Sequence, residues 1–157
     1  MQMSTDEAWP PDRLYYWKSS LIRDVGDEAI ETLLEYGRRL PTPLSVIYMQ
    51  QLHGAASRVG PADTAFPHRF DHYNCGAMLE AEHPDDTEKG ILWARECWDA
   101  MQPFAERSAY VNDLGEEGQA RVREAYGSNY DRLLPLKNKY DPTNFFRLNQ
   151  NIKPTPQ

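Results

Sequence analysis

Three segments in the first half of the chain combine aromatic and aliphatic residues in a way that is typical of β-strands. They span residues 14–22, 44–53 and 73–80, and the loops between them contain Gly and Pro. In 14–22 and 44–53 the apolar side chains fall on both faces of the strand. We therefore expect helices to cover one face of the sheet, and a ligand, a partner domain or a second copy of the chain to cover the other.

Two segments with apolar residues at 3/4 spacing predict helices between and after these strands. The first, residues 24–40, begins with acidic residues, ends with two arginines and is followed by prolines. The second, residues 84–106, contains Pro103, which should kink or shorten it. The predicted apolar faces consist of Ile30, Leu33, Leu34 and Gly37 in the first helix and of Ile91, Ala94, Trp98, Met101 and Ala105 in the second.

The second half of the chain continues with a short predicted strand at 110–114 and two predicted helices, 116–126 and 129–140, separated by Gly127. This order of elements predicts an α+β fold, in which helices pack on one face of an antiparallel sheet.

Three polar residues near the C-terminus, Arg147, Asn149 and Asn151, alternate as they would along one face of a final strand. We expect a flexible N-terminal segment at 1–12, one domain at 13–153 and a tail at 154–157.

The net charge of the chain excludes some classes of binding partner. The 157 residues carry a net charge of -7 at pH 7, which argues against nucleic acid and anionic lipid, since both need clustered Lys and Arg. We expect no secretory signal in residues 1–10 and no membrane helix, because the apolar runs fall short of the about 18 residues that a span needs. These features predict a cytoplasmic protein in which Cys75 and Cys97 are reduced core residues, the alternative being a disulfide or a reactive thiol.

Common metal-binding, phosphate-binding and hydrolase motifs do not identify a reaction for this chain. The four histidines lack metal-ligand spacing, so we expect no metal site. The sequence also contains no G-x-G-x-x-G, no phosphate-binding P-loop and no G-x-S-x-G elbow.

A denser pattern occupies residues 110–152. It contains Y-x-N at 110–112, A-Y-G-x-N-Y-x-R-L at 125–133 and K-Y-D-P-x-N-x-F-R-x-N-Q-x-I at 139–152. This order resembles the C-terminal signature of berberine bridge enzyme-like FAD-linked oxidoreductases. An F-P-H-R element at 66–69 and the helix that precedes Y-x-N agree, so the resemblance covers residues 13–153.

The resemblance implies a substrate-binding domain whose sheet lies over the flavin ring of FAD, which a separate FAD-binding domain holds. In such enzymes a base on the substrate side removes a proton while a hydride passes to the flavin. By resemblance the base is Tyr110, supported by Gln51. The alternatives are a buried structural tyrosine and a strand glutamine that bonds to backbone. Because a phenol in water loses its proton only near about pH 10, such a base needs a partner, and a neutral amide can only orient it.

The resemblance also implies that Asn112, Arg147, Asn149 and Asn151 face the flavin. The alternatives are a turn-capping amide for Asn112 and a solvated strand edge for the other three. Gly76 stands where plant relatives carry a catalytic side chain, which implies one base fewer and a wider pocket.

The expected function is therefore the substrate-binding wall of an FAD-dependent oxidase that acts on a small organic substrate, a secondary metabolite or a sugar. The flavin-holding part of the family has no counterpart in these residues, so we leave open whether this chain is itself an enzyme. The alternative is a flavin-free homodimer that binds or isomerises a hydrophobic polycyclic molecule, with its partner copy on the open sheet face. A third hypothesis is that the chain is a folded remnant without activity of its own.

Overall fold

The computed structural model describes residues 8–115, 117–148 and 150–156. No helix in these ranges is long and apolar enough to span a bilayer. The main elements are β1 (Leu14–Ile22), α1 (Asp27–Gly37), β2 (Val46–Leu52), β3 (His72–Ala81), α2 (Thr87–Met101), α3 (Gln119–Tyr126) and α4 (Tyr130–Tyr140).

The three strands form one antiparallel sheet in the order β1-β3-β2, with β3 in the centre. The predicted strand 14–22 is confirmed, whereas β2 begins two residues later than predicted and β3 is one residue longer at each end. The register decides which side chains share a face, because alternate residues of a strand point to opposite sides. The predicted α+β class, an antiparallel sheet with helices on one face, is confirmed.

The hydrophobic core lies between the sheet and the helices α1 and α2. Cys75 and Ala77 of β3 face Trp93 and Cys97 of α2 in this layer. The indole nitrogen of Trp93 donates to the carbonyl oxygen of Tyr36 at 3.2 Å and so ties α2 to α1. Both cysteines are free, as predicted, and burial raises the pKa of Cys75 to about 11 and that of Cys97 to about 12.

The predicted apolar face of α1 is partly wrong, because Leu33 packs against the core as expected but Ile30 and Leu34 do not. Ile30 and Leu34 are 41% and 51% exposed, while Ala29 and Tyr36 are buried. The bond between Trp93 and Tyr36 and the packing of Tyr36 on α2 fix this rotation of the helix. These are long-range contacts, so the spacing of apolar residues within the helix did not reveal them.

The second helix is shorter than predicted. Regular α2 ends at Met101 and a 3₁₀ turn, Gln102–Phe104, follows it, which confirms the effect of Pro103. Ala94 and Met101 are buried as predicted. Trp98 is only partly buried, and its indole nitrogen donates to the Ser19 carbonyl oxygen of β1 at 3.1 Å.

A charged cluster attaches α3 to the rest of the domain. Glu117, just before α3, bridges the Lys18 ammonium at 2.5 Å and the Arg121 guanidinium at 3.3 Å. Both cations also lie near the ring of Trp98. The cluster therefore joins β1, α2 and α3, and it fixes the chain that follows residues 110–113.

Two predicted strands are absent from the described residues. Residues 111–113 form a 3₁₀ turn, in which the Asp113 amide donates to the Tyr110 carbonyl oxygen at 3.0 Å. After α4, the Asp141 carboxylate accepts the amides of Phe145 and Phe146, at 2.7 and 3.1 Å, and forms a turn instead of leading into a strand. Residues 147–148 and 150–156 continue without strand pairing.

Candidate functional site

A cavity of about 820 Å³ lies on the sheet face that α1 and α2 leave free. The sheet contributes Leu21, Gln50, Leu52, His72 and Asn74, which the register places on one face. Phe66 from the loop after β2, residues 110–112 and Tyr126 of α3 complete the wall. Apolar and aromatic walls with a few amide groups are typical of a site for a small organic molecule.

A single carboxylate oxygen joins this wall to all three strands. Asp113 Oδ2 accepts the hydroxyl of Ser19 in β1 at 2.8 Å, the amide of Asn74 in β3 at 2.8 Å and the hydroxyl of Tyr48 in β2 at 3.3 Å. These bonds hold residues 110–113 against the sheet without any backbone pairing. Sequence reasoning missed Asp113, because the residues that bind it are distant in the chain.

Tyr110 and Asn112 form a pair at the cavity. The side-chain amide of Asn112 donates to the Tyr110 hydroxyl oxygen at 2.8 Å, and Phe66 packs against the Tyr110 ring, edge to face, at 5.9 Å between centroids. The amide is neutral, so this hydrogen bond orients the phenol oxygen of Tyr110. Tyr110 is half-buried, so its hydroxyl remains within reach of a molecule in the cavity.

Gln51 is not hydrogen-bonded to Tyr110. It also lines the cavity, but its amide donates to the Tyr73 hydroxyl at 3.3 Å. Gln51 pairs with Tyr73 across the strands, and the ring of Tyr73 packs against the core on the helix side. The supporting role of Gln51 therefore stays a prediction, and the described partner of Tyr110 is Asn112.

The space over Gly76 is filled, so the expected widening of the pocket there is wrong. A Cβ atom at Gly76 would lie 2.5 Å from the Tyr48 ring and hydroxyl, because this side chain crosses the glycine from β2. Burial, and then the nearby Asp113 carboxylate, raises the pKa of Tyr48 above its usual range. The phenol of Tyr48 is therefore protonated and acts as a donor to Asp113.

The substitution Gly76→Ala is expected to lower the free energy of unfolding by about 1–3 kcal/mol, since the new methyl group displaces the half-buried Tyr48 ring. Urea denaturation measures this loss. In the Tyr48→Ala background the same substitution should cost much less, because the clashing ring is gone. Equal costs in both backgrounds would show that Tyr48 does not set the requirement for glycine.

The C-terminal segment borders an adjacent cavity instead of the 820 Å³ cavity. Arg147 is exposed, the backbone carbonyl of Asn151 accepts the Gln119 amide at 3.2 Å, and neither residue lines the 820 Å³ cavity. Asn149 lies outside the described residues. Gln150, which sequence reasoning did not single out, lines an adjacent cavity of about 460 Å³ with Asn112. The expected contact of Asn112, Arg147, Asn149 and Asn151 with a flavin stays a prediction.

The F-P-H-R element forms a fixed corner beside the cavity. The Arg69 guanidinium donates to the carbonyl oxygens of Phe66 and Ala56, both at 3.2 Å. His68 Nε2 lies 3.0 Å from the carbonyl oxygen of Ala125, at the end of α3. Arg69 is therefore occupied by its own loop, although it lines the cavity.

Acid is expected to destabilise the chain through His68 and His72. Burial is the main cause that lowers the pKa of both imidazoles from the ordinary value of 6.5. Near about pH 6.5 the two imidazoles bind protons in the unfolded chain but not in the folded chain. The free energy of unfolding should therefore have its maximum contribution from them above that pH and decrease as the pH falls below it. Thermal unfolding between about pH 7.5 and pH 5 tests this. His68→Gln with His72→Gln should flatten the profile, and the exposed-site control His83→Gln should not.

Comparison with known proteins agrees with this architecture. Residues 109–153 match the family described as berberine and berberine like. Berberine bridge enzyme-like 23 of Arabidopsis thaliana is 32% identical over 152 residues, which cover 85% of this chain and 28% of the relative. An FAD-linked oxidoreductase of Bacillus subtilis is 28% identical over 144 residues, which cover 92% of this chain and 32% of the relative.

The solved structures show the same fold. Berberine bridge enzyme from Eschscholzia californica superposes with a TM-score of 0.80 at 22% identity, over 92% of this chain and 34% of that one. The present chain thus spans about a third of the length of the curated relatives it matches. The chain belongs to the berberine bridge enzyme-like family of FAD-linked oxidoreductases and corresponds to part of the length of these proteins.

Proposed function

We propose that this chain forms the substrate-binding wall of an FAD-dependent oxidoreductase that acts on a small organic molecule. The observation that carries the proposal is the Tyr110–Asn112 pair, whose hydroxyl and amide lie 2.8 Å apart beside a cavity on the open sheet face. Such a pair suits a base that removes a hydroxyl proton from a substrate.

The residues around the cavity fit a substrate and the edge of a flat ring, but not a pyrophosphate. Among the described residues that line the cavity, Arg69 is the only cationic side chain, and its donors are engaged by Phe66, Ala56 and Thr64. We therefore expect Asn112 and the neighbouring Gln150 to meet the ring edge and a separate FAD-binding domain to hold the phosphates. FAD, when bound, supplies the hydride acceptor.

The chain's own residues supply the proton chemistry. As the base, Tyr110 takes the proton of a substrate hydroxyl on its phenol oxygen, and the Asn112 amide orients that oxygen by donating to it. The aromatic and apolar walls exclude water and hold the substrate near Tyr110.

An exposed apolar patch supports the need for a partner domain. Phe145, Phe146 and Leu148 are 76%, 75% and 86% exposed, in the segment that follows α4. Large apolar side chains exposed together in this way mark an interaction surface. We propose that the FAD-binding domain covers the patch formed by these three residues.

The test is a chimera in which this chain replaces the matching third of the Bacillus subtilis FAD-linked oxidoreductase. The chimera and the chain alone are mixed with FAD, passed through gel filtration and measured by visible absorption. We expect a flavin band from the chimera only, and its anaerobic bleaching by at least one of a panel of sugars and phenolic alcohols. A folded, flavin-loaded chimera that no panel member bleaches would contradict the proposal.

The second function, a flavin-free homodimer, predicts a different result with the chain alone. Sedimentation would then show a dimer, and a polycyclic aromatic probe would bind while FAD would not. A strict monomer would rule this function out. The favouring observation is the uncovered sheet face, where Trp17, Met78 and Val46 lie side by side across β1, β3 and β2.

A further inference from the structure

The two outer strands of the sheet, β1 and β2, differ in how their free edges are covered. The edge of β1 is covered by its own chain. Its Ser19 carbonyl oxygen accepts the indole N–H of Trp98 at 3.1 Å, and its Leu21 carbonyl oxygen accepts the backbone amide of Glu106 at 2.8 Å. Among the described residues, the backbone of β2 makes no backbone hydrogen bond beyond its pairing with β3. The outward N–H and C=O groups of Val46–Leu52 are therefore open to another strand.

Strand β2 also lacks the features that usually prevent pairing at a free edge. Charged side chains, proline and bulges are the common protections. The sequence of β2, VIYMQQL, contains neither a charged residue nor a proline, and it pairs with β3 without a bulge over all 7 residues. Met49, at the centre of the strand, is 49% exposed. Such an edge is suited to the addition of a strand.

Helix α1 presents exposed apolar side chains beside this edge. A Cβ atom at Gly37 would lie 4.0 Å from Ile47 Cδ1, so α1 lies over β2, whereas α2 lies over β1 and β3. Tyr36 packs on the side of α1 that faces α2. Leu34 lies about 200° from Tyr36 around the helix and is therefore on the flank away from α2. Ile30 lies on the same flank one turn earlier, and both side chains are exposed.

The charges on this flank of α1 indicate what covers it. Asp27 lies in the first turn and Arg38 directly follows the last, and both are exposed on the flank of Ile30 and Leu34. The flank thus has an acidic end, an apolar middle and a basic end. In an antiparallel arrangement it is complementary to itself, because Asp27 meets the partner's Arg38 and Ile30 meets the partner's Leu34. A second copy of the chain therefore fits this surface.

We propose that the free edge of β2 and the exposed flank of α1 bind a second copy of this chain. The two β2 strands pair antiparallel, with Met49 opposite the partner's Met49 on the twofold axis, because this register aligns all 7 residues. Val46 then lies opposite the partner's Leu52, so that an apolar pair lies at each end. The interface is the edge of the sheet and not its open face, and it does not rest on the proposed function.

Sedimentation velocity of the whole chain, without flavin, tests this at concentrations up to about 500 µM, which detect a weak dimer. We expect the wild-type chain to form dimers. Met49→Lys and Met49→Glu should each weaken the dimer at least about 100-fold, because like charges then face each other on the axis. An equimolar mixture of the two variants should dimerise again, since opposite charges then meet. That recovery also shows that both variants fold.

Hydrogen exchange and a control variant locate the interface. Protection of the β2 amides should increase with the fraction of dimer. Trp17→Lys places a charge on the open sheet face, where the side chain is 40% exposed, and should leave the dimer intact.

Three results would overturn the proposal. A wild-type chain that stays monomeric at the highest concentration would leave the edge to a strand of another polypeptide. A dimer that Trp17→Lys disrupts and Met49→Lys does not would lie on the open sheet face. A mixture of the two Met49 variants that stays monomeric would exclude the register with Met49 on the axis.

Discussion

The substitution Tyr110→Phe is expected to lower the turnover of the flavin-loaded chimera by about 10²–10⁴-fold, the usual contribution of a positioned acid–base group. The phenyl ring keeps the edge-to-face contact with Phe66, so the fold and the flavin band should not change. What is lost is the oxygen that receives the substrate proton. Steady-state rates with the substrate that bleaches the chimera measure this effect.

Tyr126→Phe is the matched control for this prediction. Tyr126 also lines the cavity, but its hydroxyl donates to the carbonyl oxygen of Gln150 at 3.3 Å. Loss of that hydroxyl should change the turnover only a few-fold, about 1 kcal/mol or less in transition-state stabilisation. Equal losses from both substitutions would remove the reason to assign the base to Tyr110.

The strands were predictable because their signal is local. A run of aromatic and β-branched residues between turn residues located β1 at both ends and β2 and β3 to within two residues. The helix positions were also found, but of the predicted apolar face of α1 Leu33 packs against the core while Ile30 and Leu34 are exposed. That face depends on Trp93, more than fifty residues away, which bonds to the backbone of Tyr36.

In the candidate site, too, local sequence signals were predictive and long-range contacts were not. The Y-x-N motif identified Tyr110 and Asn112, which the structure joins by a hydrogen bond. Gln51 was assigned to Tyr110 by alignment alone, and only the strand register reveals that its amide meets Tyr73. Likewise, the glycine at position 76 suggested empty space, because a sequence does not show that Tyr48 of another strand crosses it.

The substitution Asp113→Ala is expected to lower the free energy of unfolding by about 2–3 kcal/mol, because it leaves the donors of Ser19, Tyr48 and Asn74 without their shared acceptor. Urea denaturation measures the loss. The control Asp131→Ala removes an exposed carboxylate paired with Arg123, and such surface pairs contribute about 0–1 kcal/mol. If the two substitutions cost the same, the Asp113 bonds do not hold the segment to the sheet.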